Sequence, residues 1–140
     1  MRNAKGRISE SRIDCALIRA HDLRMKETLE KRTKLFALEI IKFVSTLRTN
    51  RICYVIDRQL LKSETSIGAN YREASRARSK PEFISKIGDC LKEAEETGYW
   101  LELLGESRIV AAEKLESLLD ECRQLIAILV TISKRARENL

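Results

Sequence analysis

The sequence has few of the residues that sheet proteins, metalloenzymes and membrane proteins depend on. Its 140 residues include one proline, five glycines, one histidine and only 5% aromatic residues, whereas 34% are charged. Such a composition is typical of long amphipathic helices. The longest stretch without a charge, Gln124 to Ser133, has ten residues, about half of the roughly 20 that cross a bilayer. No apolar stretch of signal-peptide length follows the basic N-terminus. We therefore expect a cytoplasmic all-α domain without a membrane-spanning helix.

The scarcity of histidine and the scatter of cysteine argue against most enzyme chemistry. The cysteines occur singly, with none in a Cys-x-x-Cys pair: Cys15, Cys53, Cys90 and Cys122. They are interpreted as reduced packing residues. His21 alone cannot supply the paired Glu-x-x-His motifs of a di-metal bundle, nor is it joined by a nucleophile in a recognisable motif. We expect no enzymatic activity, no metal and no cofactor.

Apolar residues recur at helical spacing over most of the chain. Residues 1–25 show only a weak pattern, which indicates an N-terminal tail with at most one short helix. Residues 26–140 are predicted to form the four-helix bundle domain. Helix one begins near Lys26, and its apolar stripe is widened by Leu35, Leu38 and Ile41. Helix two covers about residues 52–77, and its inward face is predicted to carry Ile52, Val55, Ile56, Leu60, Ile67 and Ala74.

The links between helices are short, which predicts an antiparallel, up-and-down bundle. Ser79 is a suitable N-cap for helix three, with Pro81 and Glu82 in the first turn. Helix three ends near Gly105, and helix four begins near Ala111.

A polar stripe interrupts the inner side of helix two. Its members follow one another at steps of three and four: Gln59, Ser63, Ser66, Asn70 and Glu73. Polar groups near a core need partners, and Glu93 or Glu96 of helix three could supply them. We interpret the stripe as a structural hydrogen-bond network that sets helix register, with a ligand site as the alternative.

Basic residues concentrate around the same helix. Residues 48–80 carry eight Lys or Arg and three Asp or Glu. The predicted nucleic-acid-binding residues are Arg48, Arg51, Arg58, Lys62, Arg72, Arg76, Arg78 and Lys80. Arrayed positive charge suits phosphate binding, although an ordinary solvated face would look similar. Because the stretch lacks the interleaved aromatics of a single-strand platform, a duplex or structured RNA fits better than a bare strand.

Helix three carries a second apolar stripe. Tyr99 and Trp100 are adjacent, so they point about 100° apart on a helix and cannot both face one core. Together with Leu103 and Leu104 they form either a wide intramolecular face or a subunit interface. We favour the interface.

The combination of motifs resembles the bacterial 23S rRNA intervening-sequence proteins. The resemblance spans roughly residues 30–133 and leaves residues 1–25 outside. It rests on RTKLFA at 32–37, Gln59 with TSIGANYREA at 65–74, and EAEETGYWL at 93–101. It implies a four-helix bundle without established enzymatic activity. It also implies a relative, the accessory variability protein of diversity-generating retroelements, which forms a homopentameric ring and engages nucleic acid and a reverse transcriptase through basic surfaces.

Two functions remain open at this point. The first is a basic, homopentameric accessory protein that binds structured nucleic acid, with RNA favoured over DNA and a reverse transcriptase or another protein as a further candidate partner. The alternative is a protein-interaction scaffold. Residues 1–80 carry 19 Lys or Arg against 9 Asp or Glu, whereas residues 81–140 carry 8 against 12. Such oppositely charged halves could pair between subunits or with another protein. No membrane partner is expected.

Overall fold

The structure, a computed structural model, describes residues 22–47 and 50–138, with side chains from Thr28 onward. In these ranges the chain forms four α-helices and no strand: α1 (Asp22–Thr46), α2 (Arg51–Ser75), α3 (Lys80–Glu106) and α4 (Ala112–Glu138). The predicted all-α four-helix bundle is therefore confirmed. Residues 1–21 of the predicted N-terminal tail, with Cys15 and His21, lie outside the described residues. Residues 22–25, which were also assigned to the tail, belong to α1, so the first helix begins four residues before the predicted Lys26.

The helices form an up-and-down bundle because each link is too short to allow any other arrangement. The contact between α2 and α3 is the most extensive, and that between α1 and α4 is the smallest of the four contacts between neighbours. Arg32 of α1 reaches across this last gap. Its guanidinium donates to both carboxylate oxygens of Glu121, at 2.6 and 3.0 Å, and to Gln124 at 2.6 Å. α2 and α4 lie diagonally opposite each other.

Side-chain caps define where two of the helices begin. The Asn50 side chain accepts a hydrogen bond from the Cys53 backbone N–H at 2.7 Å, which satisfies a donor at the start of α2. At the start of α3, Ser79 Oγ accepts from the Glu82 N–H at 3.2 Å, and Pro81 occupies the first turn. The Glu82 carboxylate in turn accepts from the Arg78 N–H at 2.8 Å. The N-cap that the sequence predicts at Ser79 is thus present.

The core is built from regularly spaced residues, but its phase on α2 differs from the predicted one. Cys53, Leu60, Ile67 and Ala74 are buried at intervals of seven residues. The predicted inward positions Ile52 and Val55 are instead exposed. The prediction failed there because Ile52, Val55 and Ile56, the strongly apolar residues of the first two turns, outweighed Cys53, which a hydrophobic pattern ranks lower.

α1 requires a similar correction. Its buried residues follow one narrow stripe: Leu29, Thr33, Phe36 and Ile40. Leu35, Leu38 and Ile41, which were expected to widen that stripe, are among the most exposed large apolar residues described. α1 is covered mainly by α2, because its contact with α4 is small. A helix that packs extensively against one other helix buries a narrower face than a helix that packs against two.

α3 ends in a turn that places a residue with a side chain in the left-handed region. Arg108 has a φ of 60°, and its N–H donates to the Gly105 carbonyl at 3.0 Å. The Val110 N–H then donates to the Leu104 carbonyl at 3.2 Å, which returns the buried Val110 to the core. Glycine is the usual residue in such a helix-ending position because it has no Cβ.

We expect Arg108→Gly to raise the free energy of unfolding by about 0.5 to 1 kcal/mol, because it relieves this backbone strain. Urea denaturation measures the change. Arg108→Ala is the control, since it removes the same side chain but keeps a Cβ, and it should leave the stability nearly unchanged. An equal gain from both variants would show that the Arg108 side chain, and not the backbone conformation, is the unfavourable element.

Candidate nucleic-acid interface

The outer face of α2 and the link to α3 present a group of exposed cations. Six of the predicted residues are exposed there: Arg51, Arg58, Lys62, Arg72, Arg76 and Arg78. Arg48 lies outside the described residues. Lys80 is buried at the start of α3, so it does not belong to this surface, contrary to the prediction. We call the six exposed residues the α2 cation row.

The helical spacing arranges these charges in two groups. Arg58 and Lys62 are one turn apart, as are Arg72 and Arg76, so that the Cα atoms of each pair are separated by about 6 Å along the helix axis. Between the groups, the exposed positions are occupied by Thr65 and Ala69. These small side chains leave the middle of α2 open to close approach by a ligand.

The acidic residues of α2 do little to neutralise the row. Glu73 is engaged by Lys86 of α3, with 2.6 Å between its Oε2 and the lysine Nζ. Asp57 is half-buried, its Oδ1 has no hydrogen-bond partner, and burial raises the pKa of its carboxyl. Within the described part of the chain, none of the six cations is paired with a carboxylate at ion-pair distance. Their charge is available to a ligand.

The predicted polar network takes a different form from the expected one. Ser63 is buried, and its Oγ accepts a hydrogen bond at 3.0 Å from Thr97 of α3. Ser66 instead donates to the Lys62 carbonyl of its own helix at 2.6 Å, and Glu73 is exposed. Gln59, Asn70 and Glu93 are half-buried. Glu96, also half-buried, accepts from the Trp100 indole of its own helix at 3.2 Å.

The buried carboxyl of α2 is Glu64, which the sequence analysis did not single out. Its side chain is 0% exposed and neither oxygen has a hydrogen-bond partner. Burial disfavours the charged form, and it raises the pKa of Glu64 to about 8. Burial also raises the pKa of the Cys122 thiol on α4 to about 12, and the nearby charge of Glu64 contributes to that increase. Its position four residues after Leu60 and three before Ile67, both of which are buried, could have indicated that it faces the core.

The predicted interface residues divide between surface and core. Tyr99 is exposed, Trp100 and Leu103 are half-buried, and the Tyr99 and Trp100 rings meet edge to face with centroids 5.4 Å apart. Leu104 is 0% exposed and packs in the bundle core, so it has no surface to offer a neighbour, contrary to the prediction. Leu35, Leu38 and Ile41 of α1 are exposed as well, although the sequence did not assign them to an interface.

The described residues contain neither a metal cluster nor a membrane-spanning helix. Among the residues that the structure describes, no three His, Cys, Asp or Glu side chains come together as a metal site would require. None of the four described helices is long and apolar enough to cross a membrane.

These features define a four-helix bundle with a basic outer face on its second helix. The chain belongs to the 23S rRNA-intervening sequence protein family, whose profile matches residues 4–131. The family resemblance is thereby confirmed, and it extends over most of the N-terminal segment that we expected to fall outside it. Among curated proteins no sequence matches the chain significantly.

A solved structure supports the same assignment. The chain is similar to a protein of unknown function from the S23 ribosomal protein family of Bacteroides thetaiotaomicron. The two are 37% identical, the match covers 78% of this chain and 97% of that chain, and the TM-score is 0.73.

The buried Glu64 leads to a pH-dependence of stability with a definite sign. Its pKa is about 8 in the folded chain, and about 4.3 in an unfolded one. The folded state therefore holds the proton more tightly. The contribution of the protonated Glu64 carboxyl to stability is fully present below the unfolded pKa. It is lost as the pH rises towards 8, at up to about 1.4 kcal/mol per pH unit.

We expect Glu64→Gln to remove this loss, so its stability relative to the wild type should increase from pH 5 to about pH 8 and level off by pH 9. Thermal unfolding at several pH values measures the difference. Glu95→Gln is the control, because that carboxyl is exposed on α3 and stays in water when the chain folds. If the Glu64→Gln and wild-type curves ran parallel over this range, the carboxyl would not be protonated in the folded protein.

Proposed function

We propose that this chain is a non-enzymatic accessory protein of the bacterial cytoplasm that binds structured RNA through the α2 cation row and acts as a homo-oligomer, a homopentamer. One observation carries the RNA-binding part of the proposal: six exposed cations lie on α2 and its link to α3, and none is paired with a described carboxylate. Arrayed, unpaired cations displace the counterions of a phosphate backbone, which is the main source of sequence-tolerant affinity.

RNA is favoured over DNA by the family to which the chain belongs, since its description refers to 23S rRNA. The geometry supports a structured ligand. Lys62 of one group and Arg72 of the other are ten positions apart, or about 15 Å along α2. A folded RNA presents phosphates on both sides of a groove, and can therefore reach both groups at once.

Self-association is supported by apolar surface that the single chain leaves exposed. Leu35, Leu38 and Ile41 form one such row on α1, and Tyr99 projects from α3. Contiguous apolar patches on a protein surface commonly mark interfaces. A pentamer of 16.1 kDa chains would have a mass of about 80 kDa.

The double variant Arg72→Glu/Arg76→Glu tests the binding surface. It should weaken binding to a labelled structured RNA by about 10- to 100-fold, because two phosphate contacts become repulsive. Fluorescence polarisation measures the affinity, and circular dichroism checks that helicity is retained. The matched control is Lys114→Glu/Arg123→Glu, which changes the net charge equally on α4, diagonally across the bundle.

Two results would contradict the proposal. If both double variants weakened binding equally, net charge and not the α2 cation row would be responsible. If the wild-type protein bound neither structured RNA, duplex DNA nor single strands at low salt, the scaffold alternative would take its place. Light scattering on the same samples measures the mass, and a monomer would contradict the oligomeric part of the proposal.

A further inference from the structure

The N-terminal part of α2 exposes an aromatic ring among apolar and basic side chains. Tyr54 is 54% exposed, and the neighbouring Ile52 and Val55 are exposed as well. Arg51 precedes these residues, and Arg58 and Lys62 follow them at one-turn intervals. The sequence predicted no stacking aromatic in this region. That expectation holds for Tyr71, which is buried, but it overlooked Tyr54.

Tyr54 and Arg58 are in direct contact. The Arg58 guanidinium carbon lies 5.7 Å from the centroid of the Tyr54 ring, and its Nη1 donates to the Tyr54 hydroxyl at 3.5 Å. This cation–π contact restricts the ring to one orientation while both side chains remain exposed. A preoriented ring loses little conformational entropy when a planar ligand stacks against it.

Tyr54 and Arg58 also line an open hollow of about 530 Å³ on the surface of α2. The described residues around it are Tyr54, Val55, Arg58, Gln59 and Lys62. Its chemistry is mixed. Tyr54 and Val55 offer apolar contact, Gln59 offers an amide that can donate and accept hydrogen bonds, and the two cations offer positive charge. A nucleotide has a matching composition, with a planar base, hydrogen-bonding edges and a phosphate.

We propose that this hollow receives an unpaired nucleotide of the bound RNA, with its base stacked on Tyr54 and its flanking phosphates paired with Arg58 and Lys62. The inference rests on the proposed function, and it adds a preference for RNA that contains unpaired nucleotides. In a duplex the bases are already stacked on one another, and only loops, bulges and ends can offer a base to an aromatic side chain.

The charges around the hollow favour a nucleotide over a second copy of the chain. Arg51, Arg58 and Lys62 are cationic, and Asp57, the acid among residues 51–62, is half-buried with one oxygen directed inward. A copy that presented the same patch would bring like charges together, which is unfavourable. In a ring a different face of the neighbour would meet the hollow, and the mass of the Tyr54→Ala assembly tests that contact. A phosphate backbone carries the opposite charge.

The test compares two labelled RNAs with equal numbers of phosphates: a hairpin with a long unpaired loop and a fully paired duplex. The wild type should bind the hairpin more tightly. Tyr54→Ala should lose that preference, weakening hairpin binding by about tenfold while leaving duplex binding unchanged, as expected for one stacked base. Tyr54→Phe keeps the stacking surface and should retain the preference.

Ile109→Ala is the control, because Ile109 is another exposed large apolar residue, at 37%, and it lies in the link between α3 and α4. It should retain the preference for the hairpin. A mass measurement on each free variant shows whether Tyr54 contributes to self-association instead.

The possible results separate this inference from the proposed function. Equal affinity of the wild type for hairpin and duplex, or an equal loss of both in Tyr54→Ala, would overturn the nucleotide site while leaving the α2 cation row as the binding surface. If Tyr54→Ala changed the mass of the assembly, the hollow would be a contact with a second copy of the chain. No binding to either RNA would overturn both the site and the proposed function.

Discussion

The bundle depends on the burial of one apolar stripe along α2. Cys53, Leu60, Ile67 and Ala74 recur every seven residues and face the core, and α2 packs against α1 on one side and α3 on the other. Burying this stripe determines the rotation of the helix about its own axis. Once that rotation is set, the positions of Tyr54, the α2 cation row and the small residues between its two groups on the outer face follow from helical geometry. Core packing therefore determines which charges a ligand can reach.

The same rotation places Glu64 in the interior, where it has no hydrogen-bond partner. A charged carboxylate at this position would carry a large desolvation cost, so the neutral form is favoured. This group contributes to stability only while it is protonated. The preceding residue, Ser63, is also buried, but its hydroxyl accepts a hydrogen bond from Thr97 of α3. The inner face of α2 thus contains one satisfied and one unsatisfied polar residue side by side.

Much of this architecture could be predicted from the sequence, because long amphipathic helices, short links and the Ser79 cap are local features. The errors arose where several neighbouring residues could each have faced the core. At the start of α2, three of the first six residues, Ile52, Val55 and Ile56, are strongly apolar, and only packing selects Cys53. On α1, the narrow contact surface leaves Leu35, Leu38 and Ile41 outside. These choices depend on which helices lie nearby, and periodicity within one helix does not contain that information.

The candidate site shows the same division between local and tertiary information. The cations of α2 are recognisable in the sequence because they are charged and regularly spaced. The burial of Lys80, the inward turn of Asp57 and the engagement of Glu73 by Lys86 depend on α3 and the core. Tyr54 could have been identified by its one-turn spacing from Arg58, which places the two side chains together on a helix.

The central claim is that the outer face of α2 binds RNA through its phosphates. The most direct measurement is the dependence of the RNA association constant on salt, for the wild type and for single alanine replacements of Arg58, Lys62, Arg72 and Arg76. Each replacement should reduce the steepness of the log–log plot by about 0.7 to 0.9, the contribution of one phosphate contact. A slope that is near zero, or that none of the four replacements changes, would contradict the account.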